Sequence, residues 1–198
     1  MKIIGLTGGI GTGKSTVSRF LVEMGAVVIN TDEVAHEALQ SDIELQQEIA
    51  ADFGDQILTA EGRIDRKRLG EIVFTNPYAL ARLNRIMHPR LYETVQAQLE
   101  NYRQQQAEVI ILEVPLLIEA GWTSLVDEVW ITVAPEATVL KRLQRQVGLS
   151  AKQALARIRS QMPTQERIKH ADVVIDTDCR LDELKARAAQ LWSEKAGI

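Results

Sequence analysis

A glycine-rich segment close to the first residue constrains the fold of this chain more than any other part of the sequence. Gly8–Ser15 reads GGIGTGKS and fits the pattern G-x-x-x-x-G-K-[ST]. The apolar run Ile3–Leu6 precedes the segment, and the amphipathic stretch Lys14–Met24 follows it. Glycines permit a tight turn in which consecutive backbone N–H groups surround phosphate oxygens, and a helix N-terminus adds the positive end of its dipole. The segment therefore predicts a phosphate-binding loop between a buried strand and a helix.

The side chains of this loop indicate a nucleoside triphosphate bound with a divalent cation. Lys14 would neutralise the β- and γ-phosphates, and the Ser15 hydroxyl would bind Mg²⁺. The predicted nucleotide-binding residues are Gly11, Thr12, Gly13, Lys14, Ser15 and Thr16. The alternative is a plain glycine turn beside a lysine whose stem is buried. The strand before the loop and the helix after it favour the phosphate-binding interpretation.

Five short apolar runs predict the buried strands of a parallel sheet. They are continuous in Val, Ile and Leu, which is typical of strands covered on both faces. The runs are Ile3–Leu6, Ala26–Ile29, Val109–Leu112, Glu128–Val133 and Val173–Ile175. Helical patterns lie between them, and the last helix, Arg180–Lys195, follows the fifth strand. The predicted fold class is α/β, with a five-stranded parallel sheet and helices on both faces.

The connection between the second and third strands is far longer than the ~10–12 residues that a parallel crossover requires. Residues 31–106 show a mostly helical pattern with turn signals at Gly54, Gly62 and Asn76–Pro77. Pro89 is expected to begin a helix, because its fixed φ and missing N–H suit the first turn. We interpret this insertion as a subdomain that binds a phosphoryl acceptor.

The connection between the fourth and fifth strands, residues 136–170, is strongly basic. It carries eight basic and two acidic side chains, so the rest of the chain carries a net charge of −10. Helix breaks near Gly148–Ser150 and Met162–Pro163 predict a helical hairpin that could move as a lid. The segment is either a solvated helical face that happens to be basic or a site for a polyanionic small ligand.

Two carboxylates follow predicted strands at the edge where open α/β sheets bind ligands. Asp32 could accept the proton of an attacking hydroxyl, or it could be the N-cap of the helix Glu33–Leu39. Glu113 ends the third strand and could hold Mg²⁺ through water, or it could cap the following turn. No Asn-Lys-x-Asp sequence for guanine recognition occurs, so a GTPase is disfavoured.

Composition and charge exclude several other classes of protein. The 198 residues carry a net charge of −4, so nucleic acid is not an expected partner. The single cysteine, Cys179, excludes an intrachain disulfide framework and a multi-cysteine zinc site. No apolar run approaches the ~20 residues that span a bilayer, and Lys2–Thr7 is too short for the apolar core of a signal peptide. We expect a cytoplasmic protein without a membrane partner, as a monomer or a small homo-oligomer.

Seven segments in this order resemble the dephospho-coenzyme A kinase family over nearly the whole chain. The segments are Gly8–Ser15, Val28–Asp32, Met87–Pro89, Glu113–Glu119, Lys141–Arg145, Gln161 and Ala171–Asp176. The phosphate loop is common to many families, whereas the Pro-Leu-Leu-x-Glu stretch, the His-Pro pair and the Arg-x-x-Arg pair in this order are much more particular. The resemblance implies transfer of the γ-phosphoryl group of ATP to the ribose 3′-hydroxyl of dephospho-coenzyme A, with Mg²⁺.

The fold that the resemblance implies is a P-loop NTPase fold similar to nucleoside monophosphate kinases. The core would consist of residues 1–30, 107–135 and 171–198. Residues 31–106 would bind the acceptor, and residues 136–170 would form the lid. Closure of the lid would exclude water from the triphosphate and prevent wasteful hydrolysis.

The resemblance also assigns roles to individual residues. Asp32 matches the second aspartate of the family's Asp-x-Asp element and takes the role of catalytic base, although Asn30 stands where the family often has aspartate. Glu113 likewise stands where the family often has aspartate. Arg142 and Arg145 match lid arginines, which would stabilise the charge on the transferred group. His88 either borders the acceptor pocket or caps a helix that starts at Pro89.

Two other functions remain open from the sequence. The chain could be a different small-molecule kinase of this architecture, acting on a nucleoside, a nucleotide or a sugar acid. It could also be a nucleotide-dependent switch with no acceptor, which would show ATP turnover that does not depend on an acceptor, or no turnover. The long insertion and the basic segment favour a kinase over a switch.

Overall fold

A five-stranded parallel sheet forms the centre of the protein, as the sequence predicts. The computed structural model describes residues 1–73 and 75–196. The strands are β1 (Lys2–Gly8), β2 (Val27–Asn30), β3 (Val109–Glu113), β4 (Glu128–Val133) and β5 (Val173–Asp176). Each predicted run overlaps one of these strands, and the limits differ by at most two residues at either end.

The order of the strands in the sheet is β2-β3-β1-β4-β5. The register places Asn30 opposite Glu113 and Gly8 opposite Thr132. Because all neighbouring pairs are parallel, the carboxyl ends of the strands lie at one edge of the sheet. The chain that follows β1, β2 and β3 therefore leaves the sheet at the edge where α/β proteins bind ligands.

Nine α-helices connect and flank the strands within residues 1–73 and 75–196. They are α1 (Lys14–Glu23), α2 (Thr31–Ser41), α3 (Ile43–Phe53), α4 (Arg66–Val73), α5 (Pro77–Gln104), α6 (Glu136–Val147), α7 (Ala151–Arg159), α8 (Thr164–Ile168) and α9 (Leu181–Ala196). The predicted breaks at Gly148–Ser150 and Met162–Pro163 separate α6 from α7 and α7 from α8. Ser150 begins α7 with a capping box, because its hydroxyl accepts from the N–H of Gln153 while the Gln153 side chain accepts from the N–H of Ser150.

The prediction that Pro89 begins a helix is wrong. Pro89 lies inside α5, which continues from Pro77 to Gln104. A proline in a helix interior costs about 3 kcal/mol, because it cannot donate to the carbonyl four residues earlier and its ring crowds that carbonyl. The apolar face of α5 continues past the proline through the buried residues Met87, Leu91 and Val95. Burial of three such side chains, at roughly 1.5–3 kcal/mol each, outweighs that cost.

The helices α1 and α9 pack against one face of the sheet and fix the start of α1. Phe20 and Leu21 of α1 and Trp192 of α9 belong to one buried cluster with Leu6 and Trp130 from the strands. Trp130, Leu6 and Leu21 have no exposed surface. This packing holds β1 and α1 rigidly, so the loop that joins them is supported at both ends.

The chain divides into two compact units. One unit consists of residues 1–30 and 102–198, and the other of residues 31–101. The second unit is helical, and α3 buries Leu45, Ile49 and Phe53 within it. Across the described residues, no helix has both the length and the apolar character needed to cross a membrane.

Candidate active site

The loop between β1 and α1 has a backbone path that only glycine permits at two positions. A Cβ atom on Gly8 would lie 2.7 Å from Thr12 Oγ1 and would collide with Thr132 Oγ1. Gly13, directly before α1, has φ of 88°, a left-handed conformation that other residues rarely adopt. A side chain at either position would displace the loop, which explains the motif's first and last glycines.

Hydroxyl groups brace the loop from inside. The Thr12 hydroxyl lies 2.7 Å from the carbonyl oxygen of Gly9, to which it can donate, and 2.7 Å from Thr132 Oγ1, from which it can then accept. Thr177, which follows β5, donates its hydroxyl to the carbonyl of Thr12 at 2.7 Å. The side chain of Thr12, predicted as nucleotide-binding, is thus bound within the protein and shapes the loop. The sequence around Thr177 has no distinguishing pattern, so its contact with the loop could not be predicted.

The start of α1 presents a row of backbone donors. The N–H groups of Gly11, Gly13, Lys14 and Ser15 have no acceptor among residues 1–73 and 75–196. The N–H of Thr16 is the first to be bonded, to the carbonyl of Gly13 at 3.0 Å. Unbonded donors at the positive end of a helix dipole form an anion-binding site. The geometry agrees with the phosphate-binding interpretation of this segment.

A buried carboxylate lies in contact with the two functional side chains of the loop. Glu113 Oε1 lies 3.0 Å from Lys14 Nζ and accepts from Ser15 Oγ at 3.2 Å. Glu113 is only 3% exposed and Lys14 13%. Glu113 is thus in direct contact with both functional side chains of the loop. Breaking a buried ion pair by removing one partner costs about 3–5 kcal/mol. A ligand that separates Lys14 from Glu113 must therefore give each of these charges a new partner.

The same group of atoms fits a magnesium ion. Mg²⁺ binds hard oxygen ligands, and it usually takes one or two carboxylates, substrate phosphates and several waters. Ser15 and Glu113 supply a hydroxyl and a carboxylate whose oxygens lie 3.2 Å apart. The described residues contain no group of three or more His, Cys, Asp or Glu side chains that could hold a metal alone. An ion at this position would therefore depend on phosphate and water for its other ligands.

The basic segment contacts the loop through Arg142 but not through Arg145. Arg142 donates to the carbonyl of Gly11 at 3.2 Å, to Thr177 Oγ1 at 2.9 Å and to the carbonyl of Thr177 at 2.6 Å. Arg145 is exposed on α6 and makes no hydrogen bond or ion pair with any described residue. The two arginines lie on the same helix, but their surroundings differ.

Two further residues of the basic segment contact the site region. Gln161, between α7 and α8, accepts from the backbone N–H of Ile10 at 2.8 Å. Arg167 of α8 is 2% exposed and donates to Glu119 Oε1 at 2.8 Å. Gln161 is one of the positions that resemble the family and Arg167 is not, and no role could be predicted for either. A buried arginine within a basic run looks the same in the sequence as its exposed neighbours.

Asp32 and Asn30 flank the end of β2. Asn30 is the last residue of β2, and Asp32 is the second residue of α2, in its first turn. The interpretation of Asp32 as an N-cap is wrong, because α2 begins at Thr31. A carboxylate in a first turn still interacts favourably with the helix dipole, typically by about 0.3–1 kcal/mol. The side chain of Asp32 is exposed.

His88 lies in the interior of α5, directly before Pro89. The interpretation of His88 as a cap at a helix start is wrong, because α5 has no break there. Burial lowers the pKa of its imidazole below the ordinary value for histidine. The ring is therefore mostly neutral at neutral pH.

Comparison with known proteins identifies relatives over almost the full chain. A family model described as dephospho-CoA kinase matches residues 2–183. A dephospho-CoA kinase of Dehalococcoides mccartyi is 44% identical over 195 residues, which is 98% of this chain and 98% of that protein. The solved structure of dephospho-CoA kinase from Campylobacter jejuni has a TM-score of 0.74 at 28% identity, covering 100% of this chain and 98% of that one.

A more distant structure supports the fold alone. Shikimate kinase from Bacteroides thetaiotaomicron has a TM-score of 0.53 at 14% identity, covering 100% of this chain and 99% of that chain. The five-stranded parallel sheet with its surrounding helices is thus the fold of P-loop kinases.

Proposed function

The chain belongs to the dephospho-CoA kinase family, which catalyses the final step of coenzyme A biosynthesis, and on that premise we propose how its residues carry out the reaction. The family assignment confirms the resemblance seen in the sequence. The enzyme transfers the γ-phosphoryl group of ATP to dephospho-coenzyme A. Phosphoryl transfer needs positioning and charge stabilisation more than covalent chemistry from the protein.

One observation carries the assignment of the donor site: Lys14 and Ser15 share a single oxygen of Glu113. We propose that Lys14 exchanges this carboxylate oxygen for the β- and γ-phosphates when ATP binds. The Glu113 carboxylate and the Ser15 hydroxyl would then hold Mg²⁺. The ion would supply positive charge against the β- and γ-phosphate oxygens. The N–H groups of Gly11 and Gly13 would bind the remaining phosphate oxygens.

We assign the role of general base to Asp32. Its support is its place in the chain, two residues after the end of β2, together with the family's motif. Asn30 stands two residues before it, so the element supplies a single carboxylate for this role. The acceptor would be bound by residues 31–106.

The basic segment, residues 136–170, is proposed to close over the triphosphate. Arg142 would hold α6, the first helix of this lid, against the phosphate loop, because it already donates to Gly11 and Thr177. Arg145 would donate to the transferred phosphoryl group, since its exposed guanidinium has no other described partner to give up. Guanidinium donors stabilise the charge that spreads over the equatorial oxygens in the transition state.

We expect Glu113→Gln to raise the Mg²⁺ concentration that gives the half-maximal transfer rate by about 10–100-fold. Glutamine keeps the size of the side chain but removes the charge that would hold the ion. Glu113→Asp keeps the charge and matches the residue that the family often has, so it should recover most of the loss. A titration of the initial rate with Mg²⁺ measures both variants. An unchanged half-maximal concentration in Glu113→Gln would remove Glu113 from the metal site.

Replacement of the two lid arginines is expected to change different properties of the enzyme. Arg145→Ala should lower kcat by about 10²-fold and leave the melting temperature unchanged, because only a transition-state contact is lost. Arg142→Ala should lower the melting temperature as well, since three hydrogen bonds to Gly11 and Thr177 disappear. Lys141→Ala removes one charge from the same helix and serves as the control. A kcat of Arg145→Ala within twofold of wild type would show that Arg145 is only a solvated charge.

An acceptor screen tests the activity itself. Enzyme, ATP and Mg²⁺ are incubated with dephospho-coenzyme A, with nucleoside monophosphates, with shikimate or with no acceptor. We expect only dephospho-coenzyme A to gain the mass of one phosphate, together with an equal amount of ADP. A response to a nucleoside monophosphate alone would support a different small-molecule kinase, and turnover without an acceptor would support a nucleotide-dependent switch.

We propose that the reaction takes place in the cytoplasm, where ATP is supplied, by a monomer or a small homo-oligomer. Light scattering of the purified chain would give the oligomeric state.

A further inference from the structure

We propose that the side-chain amide of Gln161 contacts the terminal phosphate of bound ATP and is a further substrate-contacting residue of this kinase. The proposal rests on the assignment of Gly8–Ser15 as the ATP site. Gln161 lies far from the loop in the sequence, between α7 and α8, and the structure brings it to the loop backbone.

One end of the amide is fixed by the loop. Gln161 Oε1 accepts from the N–H of Ile10 at 2.8 Å. A backbone N–H can only donate, so the oxygen of the amide must face the loop and its nitrogen must lie on the other branch. The amide also lies close to Gly9. A Cβ atom on Gly9 would lie 3.4 Å from Gln161 Oε1, so a larger residue at this position would crowd the contact.

The other end of the amide has hydrogen bonds still to make. Gln161 is half-buried, and its Nε2 carries two N–H donors that have no acceptor in the described part of the chain. The covalent geometry of an amide places this nitrogen about 2.3 Å from the oxygen, and therefore within about 5 Å of the Ile10 nitrogen. Gln161 thus presents neutral donors beside the first half of the phosphate loop.

The place of these donors along the loop points to the terminal phosphate. The unbonded N–H groups of Gly13, Lys14 and Ser15 lie at the helix end of the loop, where the inner phosphates bind. Gly9 and Ile10 lie at the opposite end. A phosphate chain that starts at the helix and follows the loop therefore places its last phosphate on the side of Gln161. Donors at that place act on the group whose charge is redistributed during transfer.

A purely structural role predicts the same hydrogen bond to Ile10, so the test must separate the two roles by charge. Gln161→Glu keeps an oxygen that accepts from Ile10 but replaces the amide nitrogen by a negatively charged oxygen. If the amide faces the terminal phosphate, the new charge repels ATP but has much less effect on ADP, which lacks that phosphate. If the side chain only holds the loop, ATP and ADP are affected equally.

The measurement is calorimetric titration, at pH 8 with Mg²⁺, of ADP and of an ATP analogue with a non-hydrolysable β–γ linkage. For Gln161→Glu we expect the affinity for the analogue to fall about tenfold or more, and that for ADP to change less than about threefold. Gln161→Ala should also weaken the analogue more than ADP, by a smaller factor. Gln190→Glu adds the same charge on the exposed surface of α9, outside residues 136–170 and the phosphate loop, and should leave both affinities unchanged.

Equal losses for the two nucleotides in Gln161→Glu, or no loss for either, would overturn the proposal. Circular dichroism confirms that each variant is folded. The outcome is separate from that of the acceptor screen: nucleotide discrimination by Gln161 can hold even if dephospho-coenzyme A is not the acceptor. A wild-type chain that binds neither nucleotide would instead contradict the ATP site on which this proposal depends.

Discussion

Lys14→Ala is expected to lower the rate of phosphoryl transfer by about 10³-fold or more, because the negative charge at the β- and γ-phosphates loses its main partner. The structure adds a second consequence. Glu113 is 3% exposed and would keep a buried charge without the ammonium group that lies 3.0 Å away. We therefore expect a loss of folding stability of about 3–5 kcal/mol in addition to the loss of rate. Single-turnover kinetics and chemical denaturation measure the two effects.

Lys14→Arg is the matched control for this experiment. Arginine keeps a positive charge near Glu113 and should restore most of the stability, but its planar guanidinium cannot replace the compact ammonium group at the phosphates. We thus expect a stable variant that remains slow. A Lys14→Ala enzyme with a transfer rate within tenfold of wild type would contradict the role of Lys14.

Asp32→Asn is expected to reduce transfer by about 10²–10⁴-fold, the usual range for the loss of a general base, with ATP binding nearly unchanged. Asparagine keeps the shape of the side chain and removes only its ability to take the hydroxyl proton. Glu33→Gln is the control, because Glu33 is exposed in the same first turn of α2 and its charge interacts with the same helix dipole. Both variants should lose similar, small amounts of stability.

The two α2 variants should differ only in the transfer rate. Rapid-quench measurements with saturating ATP and dephospho-coenzyme A give this rate directly. Near-wild-type transfer by Asp32→Asn would reduce Asp32 to a stabilising charge at a helix terminus.

The sheet and the phosphate loop could be predicted because their signals are local. Each strand is a short apolar run, and the loop is defined by eight consecutive residues whose glycines the backbone requires. The interruption of the basic segment at Gly148–Ser150 and Met162–Pro163 is local in the same way. Such features depend on residues that are neighbours in the sequence.

The errors and omissions come from contacts between distant residues. Pro89 carries the local signal of a helix start, but burial of Met87 and Leu91 on either side continues the helix. Thr177 binds Thr12 across 165 positions of sequence, and Gln161 binds Ile10 across 151. Only the fold brings these pairs together, so no pattern around either residue could indicate them.

The difference between Arg142 and Arg145 shows the same limit. The spacing predicts one shared face on α6, and the basic charge predicts an anionic ligand. Neither pattern indicates that Arg142 donates its hydrogen bonds to Gly11 and Thr177 while Arg145 is exposed. The partners of a long cationic side chain are set by tertiary packing, which the sequence of the helix does not contain.

A crystal structure with a non-hydrolysable ATP analogue, Mg²⁺ and dephospho-coenzyme A would show whether Lys14 and Asp32 act as proposed. We expect Lys14 Nζ to have left Glu113 for the phosphates and a carboxylate oxygen of Asp32 to lie within about 3 Å of the ribose 3′-hydroxyl, in line with the terminal phosphorus. An Asp32 carboxylate turned away from that hydroxyl, with another group in its place, would contradict the role of Asp32 as general base.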